Sequence, residues 1–229
     1  MLQLLETQDG SMTVFSEEFG VSYHSRYGAV QESRHVFIEA GLFPLAILKK
    51  KLNILEIGFG TGLNAFMTFL EAKRLKLDIS YTALEAFPLP DTCWTELKYP
   101  AALHAEQDAG VFKEMHEAVW GETAMLTPNF SLKKIQDSLE NVILPSGFDL
   151  LYFDAFAPNA QPELWEAPVM QKMYDVLLPG GVLVTYCAKG AFKRTLKSAG
   201  FEVEALKGPP GKREMTRASK GPNKFVSFK

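Results

Sequence analysis

A short apolar run, Asn53–Ile57, meets a helix-patterned run, Leu63–Leu75, across Gly58-Phe59-Gly60-Thr61-Gly62. Three glycines at such a junction constrain the chain more than any other stretch. A strand that turns directly into a helix over glycine is the ligand-binding unit of open α/β sheets. Glycine adopts φ > 0 without strain and lets a ligand approach the backbone closely. The spacing is G-x-G-x-G, and Leu63 breaks the G-x-G-x-x-G dinucleotide fingerprint. No Gly-Lys-Ser/Thr follows, so the turn is not a phosphate loop either. On its own it is also compatible with a tight turn that holds nothing.

The remaining pattern agrees with an α/β sheet. Strands are expected at Asn53–Ile57, Ile79–Leu84, Phe130–Gln136, Phe148–Phe153, Val182–Tyr186, Phe201–Leu206 and Lys224–Phe228. Phe148–Phe153 is nearly all apolar and is expected at the centre of the sheet. Helices are expected at Leu63–Leu75 and Ala191–Ala199, over Pro88–Trp120 with breaks at Pro90 and Pro100, and over Pro162–Leu178 up to Pro179-Gly180-Gly181. Upstream, Leu2–Tyr23 reads as a hairpin turning at Asp9-Gly10 in a tight type I′ turn. Gln31–Leu48 reads as a helix kinked or split at Pro44. The alternation predicts a doubly wound sheet with a parallel core, whose ligands sit at the carboxyl ends of the strands.

Composition narrows the class. With 229 residues, 47% hydrophobic and 22% charged, the chain suits one large domain or one with a small appendage. No run approaches the ~20 apolar residues of a membrane span, and Met1–Glu6 does not begin a signal peptide. Cys93 and Cys187 form no CxxC pair, so neither a zinc site nor a redox motif is expected, and a reducing cytoplasm is the expected compartment. Charge is uneven: residues 189–229 hold 11 Lys/Arg against 3 Asp/Glu, while the net charge of the whole is −3. A basic C-terminal end suggests an anionic partner, although a solvated tail would give the same tally.

Acids recur where strands end. Glu56 precedes the glycine turn, and Glu85 lies 23 residues after Gly62, near the ~20-residue offset at which a carboxylate meets ribose hydroxyls. A vicinal diol can donate both hydroxyls to such an acceptor. Asp137 ends the third expected strand, where it could accept from an adenine amino group. Asp154 ends the fourth, in Asp154-Ala-Phe-Ala-Pro158, at the place where a transferred group would be delivered. Asp78, Asp91 and Asp108 fall in helices or loops and read as surface residues. His24 and His35 read as packing or helix-surface residues, and Trp94, Trp120 and Trp165 as core fillers. Tyr186 could line the pocket.

Together, Glu56 to Asn64, Glu85-Ala-Phe-Pro-Leu89, Asp154 to Pro158, Leu178-Pro-Gly-Gly181 and Gly211-Lys-Arg-Glu-Met215 resemble the methyltransferase half of the MnmC family. Tyr23-His-Ser25 and Glu32-Ser33 also match. MnmC is the bacterial bifunctional enzyme family that completes 5-methylaminomethyl-2-thiouridine at the tRNA wobble position. The resemblance implies a class I methyltransferase sheet of seven strands with the last antiparallel. The expected division is then an N-terminal extension over 1–50 and a methyltransferase domain over 51–229. It also implies S-adenosyl-L-methionine (SAM) as cofactor, held by Glu56, Gly58, Phe59, Gly60, Gly62, Asn64, Glu85 and Asp137. Gln136 stands where the family has glycine. Asp154 would face the acceptor amine. Tyr23, Phe156 and Pro158 would meet the splayed base, and Lys212 and Arg213 the tRNA anticodon loop; Pro209-Pro210 departs from the family there. No metal is implied.

The chain ends at Lys229, so no oxidoreductase half is expected after it, and a separate enzyme would make the aminomethyl intermediate. Two rival readings remain at this point. A spermidine-synthase-like aminopropyltransferase shares the sheet and an acid after the fourth strand, but its glycine turn usually carries a further acid that Gly58–Gly62 lacks. The other is a SAM- or RNA-binding module without catalysis. Fold analogy alone does not separate these.

Overall fold

The computed structural model describes residues 1–222. The main sheet has eight strands: β4 (Lys51–Ile57), β5 (Asp78–Glu85), β6 (Thr123–Thr127), β7 (Phe130–Gln136), β8 (Phe148–Phe153), β9 (Leu177–Thr185), β10 (Glu202–Lys207) and β11 (Glu214–Ser219). Their order is β10-β11-β9-β8-β4-β5-β7-β6. The pairs β4–β5, β4–β8, β5–β7 and β8–β9 are parallel. Strand β11 is antiparallel to both β9 and β10. This is the class I methyltransferase sheet that the resemblance implies, with one extra strand, β6, antiparallel at the edge beside β7.

Sequence explains the centre of the sheet. All six residues of β8 are buried, as a strand covered on both faces requires. From β4 the chain first builds outward through β5 and β7, then returns to lay β8 on the opposite side of β4. The cleft between the carboxyl ends of β4 and β8 is therefore the topological switch point, where open α/β sheets bind ligands. Helix α3 (Leu63–Leu75), starting directly from the glycine turn, buries nine of its 13 residues against the sheet and its neighbours.

Before the main sheet, β1 (Leu2–Glu6), β2 (Met12–Ser16) and β3 (Val21–Ser22) form a small antiparallel sheet. The β1–β2 register pairs Glu6 with Met12, which leaves Thr7–Ser11 as a five-residue loop and not the expected two-residue turn. Asp9 decides this: its carboxylate accepts from the Thr7 hydroxyl (2.7 Å), the Ser11 N–H (3.0 Å) and the Gln31 N–H (3.0 Å), tying the loop to the first helix.

That helix runs as α1 (Ala29–Ser33), a wider segment over Arg34–Leu42 and α2 (Phe43–Leu48). The helix runs through Pro44 without a break. Lacking an N–H, Pro44 cannot reach the Ala40 carbonyl, and the preceding N–H, that of Phe43, bonds Ile38 in an i→i−5 step. Arg217 Nη1 donates to the freed Ala40 carbonyl at 3.3 Å.

The intervening region is helical in pieces, α4 (Asp91–Trp94), α5 (Tyr99–Ala102) and α6 (Ala109–Glu117); Pro90 precedes α4 as expected, but Pro100 sits in the first turn of α5 and the breaks fall on either side of that helix. Three expectations shift. Pro162–Leu178 divides into a 3₁₀ turn at Pro162–Trp165 and α7 (Ala167–Val176), and Pro179-Gly180-Gly181 lies within β9. The expected final strand Lys224–Phe228 lies outside the described residues, and the antiparallel strand between β9 and β10 is Glu214–Ser219. Asp108 is buried and paired with Lys73 at 2.7 Å, not a surface residue, and Asp78 opens β5. Helix α8 (Gly190–Ser198) falls within one residue of expectation. Among the described residues no helix is long and apolar enough to cross a membrane.

Candidate active site

The site grows from the glycine turn. The Gly58 and Phe59 N–H groups donate to the Leu84 carbonyl at 2.9 and 3.2 Å, so the turn leans over the end of β5. Gly58 has φ +90°, and a Cβ there would lie 2.8 Å from the Asp154 carbonyl oxygen. Only glycine lets the ends of β4 and β8 come this close. A Cβ on Gly60 would press on the Tyr23 ring at 3.0 Å. Gly62 serves differently: it starts α3 in the left-handed conformation and abuts His116 rather than the cavity.

Around the turn is a cavity of about 250 Å³. Of the residues expected from sequence, it is lined by Gly58, Phe59, Gly60, Asn64, Glu85, Asp137, Asp154, Tyr23 and Phe156. Glu56 lies beneath it, fully buried, with the Tyr81 hydroxyl donating to its Oε2 at 2.9 Å. Pro158, Lys212 and Arg213 are not among the lining residues. Phe19, Phe87 and His24 are, although sequence gave the phenylalanines no role and read His24 as packing.

Three acids sit at three strand ends, in different hydrogen-bond settings. Glu85 ends β5; its Oε2 accepts from the Gly60 N–H and its Oε1 from the Phe87 N–H, each at 2.8 Å. Burial raises its pKa, and these backbone donors oppose the rise. One lone pair remains on each oxygen, enough for two hydroxyls. Asp137, just beyond β7, accepts from the Ser138 N–H through Oδ1 at 2.8 Å. Asp154, just beyond β8, is tied by its N–H to the Ile57 carbonyl (3.0 Å) and accepts from Asn64 Nδ2 through Oδ2 (2.8 Å). Burial pushes its carboxyl well above the usual range; the Glu32 charge adds to the rise, and Asn64 and Lys212 oppose it.

The cofactor that the resemblance implies can be tested on these residues. Glu56 Oε1 and Asn64 Oδ1 are buried and make no hydrogen bond of ordinary geometry among the described residues, although the nearby Asn64 side chain partly opposes the rise that burial causes in the Glu56 pKa. Unsatisfied acceptors at the base of a ligand turn are suited to a donor-rich cation such as an amino-acid ammonium group. Glycines above them admit a close ligand, and Glu85 keeps acceptor capacity for a diol. The residues fit SAM.

Aromatic side chains form one wall. Phe156 packs on Tyr23 (ring centroids 4.9 Å, edge to face) and on Phe19 (5.0 Å), and Phe19 packs on Phe87 (5.5 Å). Phe87 is 53% exposed, so this cluster runs from the cavity to solvent. Trp94 and Trp165 are core residues, and Trp94 stacks on His116 at 4.5 Å.

The basic C-terminal end is less free than its tally suggests. Lys193 pairs with Glu214 at 2.7 Å, and Arg217 with Glu204 at 2.8 Å. Lys220 donates to the Tyr174 and Leu177 carbonyls. Lys212 turns inward onto Glu32, whereas Arg213 is exposed. Sequence quoted Glu32 only as part of a matching pair of residues; no local pattern could have linked it to a lysine 180 positions later.

A family profile and several known proteins resemble this chain. A family profile described as S-adenosyl-L-methionine-dependent methyltransferase matches residues 113–221. The bifunctional protein MnmC of 5-methylaminomethyl-2-thiouridine biosynthesis in tRNA is 31% identical in Ectopseudomonas mendocina, covering 87% of this chain and 32% of that protein. In Aromatoleum aromaticum it is 31% identical, covering 94% and 35%. The chain thus spans about a third of the length of the curated relatives it matches. Among solved structures, MNMC2 from Aquifex aeolicus superposes with TM-score 0.75 at 24% identity over 99% of this chain and 73% of that one. Spermidine synthase from Thermotoga maritima superposes with TM-score 0.60 at 16% identity, over 96% and 69%. Both likenesses speak to the fold.

Proposed function

We propose that this chain, a homologue of the MnmC proteins built on a class I methyltransferase sheet, methylates the aminomethyl group of 5-aminomethyl-(2-thio)uridine at the tRNA wobble position. The observation that carries the reading is the placement of Asp154. It is a carboxylate at the switch point, anchored by Asn64 and opposite a wall of aromatic rings.

SAM, when bound, supplies a methyl group on a sulfonium sulfur that departs as a neutral thioether. The protein's residues must hold the two reactants in line and manage charge on the acceptor. Asn64 and Glu56 receive the ammonium end of the cofactor, Glu85 the ribose hydroxyls, and Asp137 the adenine edge. Tyr23 and Phe156 hold the splayed uracil by stacking, as single-stranded bases are held elsewhere. Pro158 belongs to the same acceptor loop.

Asp154 orients the amine. An alkyl ammonium with a pKa of about 10.4 must lose a proton before its lone pair can attack. Asp154, raised by burial, is a better proton acceptor than a surface carboxylate; it takes that proton and passes it to solvent, so that it is again a carboxylate when the methylammonium product forms. The anticodon loop meets the exposed Arg213. The division into a 1–50 extension and a 51–229 methyltransferase domain belongs to this reading.

The test is methyl transfer from radiolabelled SAM to three acceptors: tRNA bearing aminomethyluridine, unmodified tRNA and putrescine. Label only in the aminomethyluridine tRNA is expected. Label in putrescine would favour a small-amine transferase, and cofactor binding with no label anywhere would leave a binding module.

A further inference from the structure

Beside Asp154, and outside the residues that line the cavity, three side chains from distant parts of the chain meet. Glu32 of α1 is buried; its Oε2 accepts from the Ser25 N–H at 2.7 Å, and its Oε1 is paired with the Lys212 ammonium. The same ammonium lies 3.9 Å from the centroid of the Tyr186 ring. Tyr186, next after β9, donates its hydroxyl to the Ala155 carbonyl at 2.8 Å, fixing the backbone that carries Asp154.

The turn that bears Lys212 is itself clamped. The Gly208 N–H bonds the Arg213 carbonyl (3.1 Å), the Lys212 N–H bonds the Pro209 carbonyl (2.9 Å), and His35 Nε2 meets the Lys207 carbonyl (2.7 Å). The Tyr27 ring packs so closely on Gly211 that a Cβ there would lie 2.2 Å from it. An ammonium held by a buried carboxylate and a ring face is not poised to reach a phosphate.

We propose that Lys212 is a positioning residue for the acceptor end of the site, fixed by Glu32 and Tyr186 as a cationic post behind Asp154, and not an RNA-phosphate contact. Seven groups act electrostatically on Asp154 or on this pair: Glu32 from α1, Glu56 from β4, Tyr81 from β5, His24 after β3, Tyr186 and Cys187 after β9, and Lys212. Burial pushes His24 down to about 4 and the two tyrosines and the Cys187 thiol up, so these four are neutral at pH 7. Lys212 is therefore the cation that balances the carboxylates. When both carboxyls are ionised, Asp154, Glu32 and Lys212 sum to one negative charge, the complement of one ammonium. Without Lys212 the same groups sum to two, which disfavours the ionised form of Asp154. This charge-matching role rests on the amine-acceptor reading above; the electrostatic placement does not.

The experiment is a carbon-13 NMR titration of the Asp154 carboxyl, needing no acceptor, in wild type, Lys212→Met, Glu32→Gln and Lys212→Arg. Thermal midpoint and SAM affinity serve as folding checks. Lys212→Met should raise the Asp154 midpoint by about 1 pH unit or more, and Glu32→Gln should lower it, since an unopposed charge acts in each case. Lys212→Arg should stay near wild type. If a single variant does not fold, the double variant removes both charges and should return the midpoint close to wild type. The salt dependence of anticodon stem-loop binding should be unchanged in Lys212→Met. An unmoved Asp154 midpoint, or a salt slope reduced by about 1, would overturn the proposal. The expected shifts in a protein that does not methylate aminomethyluridine tRNA would uphold the placement of Lys212 and refute the amine-acceptor reading.

Discussion

Asn64 Nδ2 donates to Asp154 Oδ2 at 2.8 Å, joining the first turn of α3 to the end of β8 across the switch point. The two residues belong to the two halves of the proposed chemistry, cofactor and acceptor. Because the other amide atom, Asn64 Oδ1, has no partner among the described residues, one side chain both anchors the acid and keeps an acceptor for a ligand. Asn64→Leu should therefore lower SAM affinity and the methyl-transfer rate together, each by about tenfold or more, as loss of a hydrogen bond to a charged group does. Calorimetry and single-turnover kinetics on the same variant check this.

Gly58→Ala should be damaging out of proportion to one methyl group. The backbone is at φ +90°, and the new Cβ would meet the Asp154 carbonyl oxygen at 2.8 Å. A loss of about 1–3 kcal/mol in stability is expected, with weakened SAM binding. Denaturant unfolding and calorimetry read the two effects. Gly110→Ala, in the first turn of α6 with open space around its Cβ, is the control and should be nearly neutral.

Phe156→Ala should weaken binding of an anticodon stem-loop by about 1–3 kcal/mol, the range for loss of a base–aromatic stack. Phe156→Tyr should retain most of it. Fluorescence anisotropy with a labelled stem-loop measures both. Arg213→Glu should weaken the same binding and reduce its salt slope, because Arg213 is exposed.

Acid should expose the buried histidines. Burial, with the Lys134 charge adding, lowers His116 to about 3 from an ordinary 6.5. The unfolded chain then binds a proton that the native one does not, so this stability is complete above about pH 6.5 and is lost as pH falls toward 3. At pH 4 the loss is about 3 kcal/mol. Raised carboxyls such as Glu56 and Asp154 run the other way, so the comparison must be with His116→Gln. The advantage of wild type over that variant should shrink between pH 6.5 and 4 in urea unfolding curves.

The sequence made some of this legible and hid the rest for physical reasons. Leu63–Leu75, Phe130–Gln136 and Phe148–Phe153 fall on their expected bounds: a glycine start and an all-apolar run are strong local signals, and Phe130 and Leu132 alternate inward although Ile135 breaks the pattern. Strand β6 was missed: Thr123–Thr127 is a half-exposed edge strand with a weak pattern. Strand β11 was missed because three of its five buried positions, Thr216, Arg217 and Ser219, are polar. Thr216 and Arg217 are buried but satisfied, by the Cys187 carbonyl (2.6 Å) and by Glu204 (2.8 Å). The acids at strand ends were visible because topology alone brings strand ends together. The meeting of Glu32, Tyr186 and Lys212 was not, since it depends on how a helix, a strand end and a turn pack.

The most direct test of the central claim, that the acceptor amine is handled at Asp154, is single-turnover methyl transfer to aminomethyluridine tRNA by wild type and Asp154→Asn, with SAM affinity measured separately. The amide keeps the shape and can still accept from Asn64, but it cannot take a proton or carry the balancing charge. A rate at least about 100-fold lower, with SAM affinity within about threefold of wild type, is the predicted result. Equal rates, or a loss of rate fully accounted for by loss of SAM affinity, would contradict it.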